Sequence, residues 1–321
     1  MQALVYDEKK IRLIRDYPEP KASAGEALIR LILAGICRTD LEISRGYMDF
    51  RGVLGHEFVG VVEESEDKSL IGKRVVGEIN ARCGRCSYCQ RGLGNHCPER
   101  TVLGILKRDG CLADYFLLPP KNLHLVPDSV PDEAAVFTEP LAAALQSLEQ
   151  VHIKPTDLCV VIGDGKLGLL VAQVVSLTGC ELLVTGHHQD NLDILNRLGI
   201  QTKVAAAQPL EKKVDVVIEC SGRPEGLRQA LNLLKPRGKL ILKSTFAAQN
   251  GSPPFNPAQL VIDEITLIGS RCGPFGAALR LLNRGLVETS SLISAIYPLD
   301  EAEAAFTKAG GKGILKVLLR P

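Results

Sequence analysis

The chain has 321 residues, room for about two domains and for a core that needs no disulfide scaffold. Hydrophobic residues make up 45% and charged residues 23%, while 38 basic against 37 acidic side chains leave a net charge of +1. That balance, with no Trp and 4% aromatics, argues against a nucleic-acid or anionic-membrane binder; without a bilayer-length apolar run or signal-like start, a cytosolic, soluble, two-domain chain is the expectation.

The first third reads as β-rich. Ala3–Tyr6, Ile11–Ile14, Glu26–Ile32, Val59–Glu63 and Lys73–Gly77 alternate in the strand period between glycine punctuation. The acidic run Glu63–Asp67 fits a solvated hairpin tip. Helical spacing begins at Leu141, and strands then alternate with helices. The expected strands are Leu158–Ile162, Glu181–Thr185, Val214–Glu219, Leu240–Lys243 and Ile265–Ile268. The expected helices are Leu167–Leu177, Asn191–Leu198 and Gly226–Leu234. Such alternation predicts βαβ units and a parallel, doubly wound sheet. Gln249–Pro257, rich in Pro, Gly and Asn, is expected to be a loop. A helix over Ala277–Arg284 and a final strand over Gly313–Leu318 complete the series.

The ten cysteines stand out in a chain of this size. Cys83, Cys86, Cys89 and Cys97 follow a C-x2-C-x2-C-x7-C spacing, and four thiolates so close can surround one tetrahedral Zn2+. With four protein ligands the site is closed, hence structural. His96 is read as a surface bystander.

Gly163-Asp164-Gly165-Lys166-Leu167-Gly168 follows an apolar strand and opens a helix, the context a dinucleotide fingerprint requires. Gly163 permits the turn, Gly165 lets a pyrophosphate approach, Gly168 packs helix on sheet, and the helix start at Lys166 and Leu167 offers N–H donors. An NAD site commonly carries Asp or Glu at the end of the next strand; here Gly186 stands there, followed by His187 and His188. The missing carboxylate and the two histidines favour NADP over NAD, whereas Asp190 serving the ribose, with both histidines as plain loop residues, is the opposite reading.

A third constellation joins Gly35-Ile36-Cys37-Arg38-Thr39-Asp40, Gly55-His56-Glu57 and Thr138-Glu139-Pro140. A catalytic zinc takes about three protein ligands and one open position. Cys37, His56 and a carboxylate from Glu57 or Glu139 satisfy that requirement.

GICRTD, GHEFVGVV, CGRCSYCQRGLGNHC, TEPLA and VIGDGKLG stand in the order and approximate spacing of the zinc-dependent medium-chain alcohol and polyol dehydrogenases, which the whole chain resembles. The resemblance implies an α/β protein: a GroES-like β-rich catalytic domain (1–138 and 273–321) interrupted by a Rossmann domain (139–272), with the active site in the cleft between them. It also implies Cys37, His56 and Glu139 as catalytic-zinc ligands, Glu57 as the zinc-proximal acid, and the Cys83, Cys86, Cys89 and Cys97 quartet as the structural lobe. Thr39 matches the hydroxyl that hydrogen-bonds the substrate oxygen, and Asp40 orients the site from behind. Where relatives often carry a His relay three residues after Thr39, this chain has Glu42, so either Glu42 relays the proton or it leaves by another route. Arg271, after the last Rossmann strand, is a candidate cofactor contact. Tyr47, Met48 and Phe50 either line the substrate pocket or belong to the core. The expected reaction is hydride exchange between NADP(H) or NAD(H) and an alcohol, aldehyde or ketone on a Lewis-acidic zinc, in a homodimer or homotetramer formed through the edge strand Ile265–Ile268. A non-catalytic zinc- and nucleotide-binding protein and a zinc-free quinone or enone reductase are the competing classes. The five remaining cysteines, Cys111, Cys159, Cys180, Cys220 and Cys272, are expected simply to be buried.

Overall fold

A computed structural model describes residues 1–7, 10–205, 213–244 and 257–321. The chain divides into two compact units, Met1–Glu139 with Phe275–Pro321, and Pro140–Pro274. In chain order the elements begin with β1 (Ala3–Asp7), β2 (Lys10–Ile14), β3 (Ala27–Gly35), α1 (Arg38–Ile43), β4 (Gly52–Val53), β5 (Glu57–Glu64) and β6 (Arg74–Gly77). Next come β7 (Asn80–Ala81), α2 (Ser87–Gln90), β8 (Thr101–Val102), β9 (Tyr115–Leu118), β10 (Leu123–Leu125), α3 (Asp132–Ala135) and α4 (Thr138–Gln150). The second unit continues through β11 (Leu158–Ile162), α5 (Lys166–Ser176), β12 (Glu181–Gly186), α6 (Gln189–Arg197), β13 (Gln201–Val204), β14 (Val214–Glu219) and α7 (Pro224–Leu233). It closes with β15 (Leu234–Leu242), α8 (Pro257–Ile262) and β16 (Thr266–Gly269). The return into the first unit supplies α9 (Phe275–Asn283), β17 (Ile293–Pro298), α10 (Ala302–Ala309) and β18 (Lys316–Arg320).

In the second unit the sheet order is β13-β12-β11-β14-β15-β16, and every pairing is parallel. This is the doubly wound order in which the chain starts at the centre, winds outward, then reverses. Its central strands are continuous apolar runs because helices cover both faces. Val160, Ile162, Val217 and Leu240 are at most 4% exposed, packed with Leu227, Ala230 and Leu231 of α7. Strand β13, with the sequence QTKV, escapes sequence reading because a polar edge strand lacks apolar alternation. Leu234 belongs to β15 and not to the preceding helix: it pairs with Val214, and Pro236 cannot continue a helix. The Gln249–Pro257 loop lies outside the described residues except for Pro257, which starts α8.

The first unit is built on the path β10-β6-β5-β3-β18-β17, with β9 also on β3 and a smaller sheet β2-β1-β4. Between β5 and β6 the acidic run is exposed at Glu63, Glu64, Glu66 and Asp67, while Ser65 is buried. The final strand starts later than its apolar pattern suggests, because Gly313 sits at φ 74 in a turn. Central strand β3 matters most for the site. It runs antiparallel to β5 with Gly35 opposite Glu57, and antiparallel to β18 with Gly35 opposite Leu318. Three strand ends distant in sequence therefore meet at Gly35. Among the described residues no helix is long and apolar enough to cross a membrane.

Candidate active site and metal centres

Cys37 follows the end of β3 and caps α1, His56 precedes β5, and Glu57 is its first residue. The register at Gly35 thereby brings one ligand-type atom of each residue within 4.8 Å of the other two. The set combines one S, one N and one O donor, which suits a three-ligand zinc site with an open position. Cys37 is half-buried; His56 and Glu57 are buried.

Asp40, fully buried, ties the group together. Its Oδ2 accepts the Cys37 N–H at 2.7 Å, closing the cap of α1, and its Oδ1 is 3.1 Å from His56 Nδ1. An imidazole whose Nδ1–H is held by a carboxylate presents Nε2 as the metal-facing nitrogen, the usual support for a ligating His. Burial disfavours the imidazolium, but the Asp40 and Cys37 charges outweigh it and raise the His56 pKa well above its ordinary value. Thr39 Oγ1 lies 3.9 Å from Cys37 Sγ, so a hydroxyl borders the cluster.

Lys316, the first residue of β18, is 1% exposed and donates to Glu57 Oε2. Sequence reading missed it. The available signal was one lysine heading the apolar run Val317-Leu318-Leu319. A Cβ at position 35 would run into Glu57 Oε2 and approach Lys316 Cδ, so glycine there leaves room for the pair. The Lys316 ammonium is also 5.6 Å from the centre of the Phe137 ring. Burial alone would push Lys316 down, yet the charges of Glu57, Cys37 and Glu139 outweigh it and hold it above its ordinary pKa.

Glu139 is thus near enough to act on Lys316, but it is not part of the three-donor cluster. Glu42 sits on the outer face of α1, accepting from Arg38 Nε at 2.8 Å and Arg45 at 2.9 Å. Of the three hydrophobic candidates, Phe50 is 5% exposed and belongs to the core, whereas Tyr47 and Met48 are exposed. Met48 and Asp49 both adopt left-handed backbone, at φ 64 and φ 48, a costly pair for residues other than glycine.

The four clustered cysteines form a separate centre. Sγ separations are 3.5 Å (Cys86–Cys89 and Cys83–Cys97), 3.8 Å (Cys86–Cys97) and 4.0 Å (Cys83–Cys89). A tetrahedron with Zn–S bonds of about 2.3 Å has S···S edges of about 3.8 Å, whereas a disulfide would need about 2.05 Å. The cage fits zinc. Backbone N–H groups of Arg85 and Cys86 aim at Cys83 and lower its pKa to about 6, preparing a thiolate. His96 is exposed beside the cage. Of the other five cysteines, Cys111 and Cys159 are buried, but Cys180, Cys220 and Cys272 are only half-buried.

In the second unit, Gly163 leaves β11 at φ 119, a conformation that favours glycine. A Cβ at Gly168 would overlap the Gly163 carbonyl, so α5 can approach the loop only with glycine there. At Gly165 a Cβ would meet nothing within 4 Å, so open space lies against the start of α5, at Lys166 and Leu167. That cradle suits a pyrophosphate. The end of β12 departs from the sequence reading. Asp164 swings its carboxylate onto the β12–α6 turn beside Gly186, so a carboxylate reaches this place from another position. His187, His188 and Asp190 are exposed. Arg271 is exposed as well, its carbonyl accepting from Lys243 Nζ at 3.3 Å.

Residues 23–128 match the alcohol dehydrogenase GroES-like domain, and residues 167–284 match the zinc-binding dehydrogenase domain. A sorbitol dehydrogenase of Halalkalibacterium halodurans is 31% identical, over 96% of this chain and 95% of its own. Among solved structures, a zinc-binding dehydrogenase from Sinorhizobium meliloti 1021 bound to NADP superposes with TM-score 0.88 at 27% identity, covering 100% of this chain and 99% of the other. An alcohol dehydrogenase from Escherichia coli CFT073 complexed with NADH gives TM-score 0.90 at 26% identity, with the same coverage. With a GroES-like and a Rossmann-type domain and relatives that match along its whole length, the chain belongs to the zinc-dependent medium-chain dehydrogenase/reductase family, whose members are NAD(P)-dependent oxidoreductases of the alcohol dehydrogenase type.

Proposed function

We propose that the protein interconverts a secondary alcohol, of the polyol class to which sorbitol belongs, and its carbonyl compound, using one catalytic and one structural zinc. The observation that carries this reading is the meeting of Cys37, His56 and Glu57 at the ends of adjacent strands, braced by Asp40. The domain roles follow: residues 1–138 and 273–321 are catalytic, and 139–272 bind the dinucleotide.

Cys37, His56 and Glu57 would hold the catalytic ion, with Glu139 as the further carboxylate of the family pattern; Cys83, Cys86, Cys89 and Cys97 would hold the structural one. When bound, zinc supplies Lewis acidity toward a substrate oxygen and the nicotinamide supplies the hydride acceptor or donor. The chain's own groups do the rest. Asp40 fixes the His56 ring, and its grip on the Cys37 N–H sets the sulfur's position. Thr39 takes the hydroxyl proton at its Oγ1 and passes it outward. Glu42, held between two arginines, is poorly placed to accept it, so we assign the proton exit to a path from Thr39 that bypasses Glu42. Lys316 holds Glu57 turned toward β18. Gly163, Gly165, Lys166, Leu167 and Gly168 would cradle the pyrophosphate, and Arg271 would flank the cofactor.

A homodimer through β16 is supported by an apolar edge: Leu267 is 41% exposed, and Val261 and Ile262 on α8 are nearly 80% exposed. A cytoplasmic location accords with this activity.

Metal analysis combined with turnover tests the reading. Two zinc ions per chain are expected, with Cys37→Ser losing one ion and all turnover, and Cys97→Ser losing the other along with thermal stability. A single ion, with neither NAD+- or NADP+-linked oxidation of sorbitol and other alcohols nor NADH- or NADPH-linked reduction of aldehydes and ketones, would count decisively against it.

A further inference from the structure

Strands β11 and β12 pair in parallel with Ile162 opposite Thr185, so the glycine loop leaving β11 lies level with the turn leaving β12. Asp164, the second residue of that loop, is only 6% exposed. Its Oδ2 accepts from the His187 N–H at 2.9 Å, the His188 N–H at 2.5 Å and His188 Nδ1 at 3.1 Å. Asn191 Nδ2 donates to the Asp164 carbonyl at 3.0 Å, fixing the loop from α6. Gly186 makes room: a Cβ there would overlap the Asp164 side chain. The strand end that lacks a carboxylate in sequence therefore receives one from the neighbouring loop, and any residue larger than glycine at 186 would displace it.

We propose that Asp164 is the residue that reads the adenosine ribose and selects NAD(H) over NADP(H), an inference that rests on the dinucleotide role given to the glycine loop. A doubly wound sheet places that ribose beside the second strand, where a carboxylate accepts from the 2′-hydroxyl. Among the described residues no donor reaches Oδ1, which leaves that oxygen to the ribose. Against a 2′-phosphate the arrangement works in two ways. The carboxylate repels it, and the two turn N–H groups that might otherwise grip it are already engaged by Oδ2. His188, the nearest cation-forming side chain, is likewise turned to Asp164.

The test is direct binding, read by the fluorescence of NADH and NADPH on the zinc-replete protein, with ADP-ribose and its 2′-phosphate as competitors. The wild-type protein should bind NADH about tenfold or more tightly than NADPH, the difference expected for one hydrogen bond to a charged group. Asp164→Asn should weaken NADH and strengthen NADPH, moving their ratio by a similar factor. Asp164→Gly with Gly186→Asp returns the carboxylate to the strand end and should restore the NADH preference, which guards against a loop that has merely lost its shape. Equal or tighter NADPH binding by the wild type, or an unchanged ratio in Asp164→Asn, overturns the proposal and leaves the dehydrogenase reading intact. Binding of neither nucleotide overturns both.

Discussion

The Glu57–Lys316 pair offers the sharpest test of the first unit, because both side chains have 0% exposure and they lie 259 positions apart. Lys316→Met keeps the length and apolar stem of the side chain but removes its charge. Glu57 is then left as a buried carboxylate without its cation, a situation that costs about 3–5 kcal/mol. Burial and the Coulomb energy of the pair largely offset one another, so replacing both partners is far milder. Protein freed of metal with a chelator and unfolded in urea, followed by circular dichroism, measures the effect, since a zinc ion would itself be a cation beside Glu57. At a slope of about 2–3 kcal/mol per molar urea the single variant's midpoint falls by about 1–2 M. Glu57→Gln with Lys316→Met should recover most of the loss and yield a coupling energy above about 1 kcal/mol. Should the single variant shift the midpoint by less than about 0.3 M, or the double variant lose the sum of the two singles, the pair is not the buried, mutually dependent unit described here.

Two further outcomes are expected. The Tyr17 phenol is pushed up to about 12 by partial burial and by Asp109, whose Oδ2 accepts its hydroxyl at 3.0 Å. A phenol raised in the folded state stabilises fully below its unfolded value near 10, and that contribution is lost as pH rises from about 10 to about 12. Ultraviolet titration should find one late-ionising tyrosine that Asp109→Asn returns toward the ordinary value, and a profile unchanged by that substitution would contradict the assignment. At the other unit's edge, Ile262→Lys with Leu267→Lys should shift sedimentation from dimer toward monomer without loss of zinc. An unaltered sedimentation coefficient would refute pairing through this edge.

Local sequence determined those features whose chemistry lies within one short segment. The zinc lobe is of this kind, since thiols three and eight residues apart can reach one ion whatever the rest of the chain does. So is the strand–glycine–helix turn, where Gly163 and Gly168 answer steric demands set by their immediate neighbours. The alternation after Leu141 declared a doubly wound unit because each parallel strand must be apolar on both faces, while the polar edge strand β13 and the short helix α8 stayed hidden. Cys37 and His56 could be named, but their meeting could not be derived from spacing. It depends on the register that sets Gly35 between Glu57 and Leu318. The same register carries Lys316 into the site from the far end of the chain, where a lysine heading an apolar run hints at burial but does not name its partner. Strand pairing also changes the surroundings of the cofactor turn, since a carboxylate absent from position 186 arrives from position 164 on the loop leaving the neighbouring strand β11. Sequence fixes which groups are available within a few residues; strand order and register, set by burial of the whole sheet, decide which distant groups come within hydrogen-bond range.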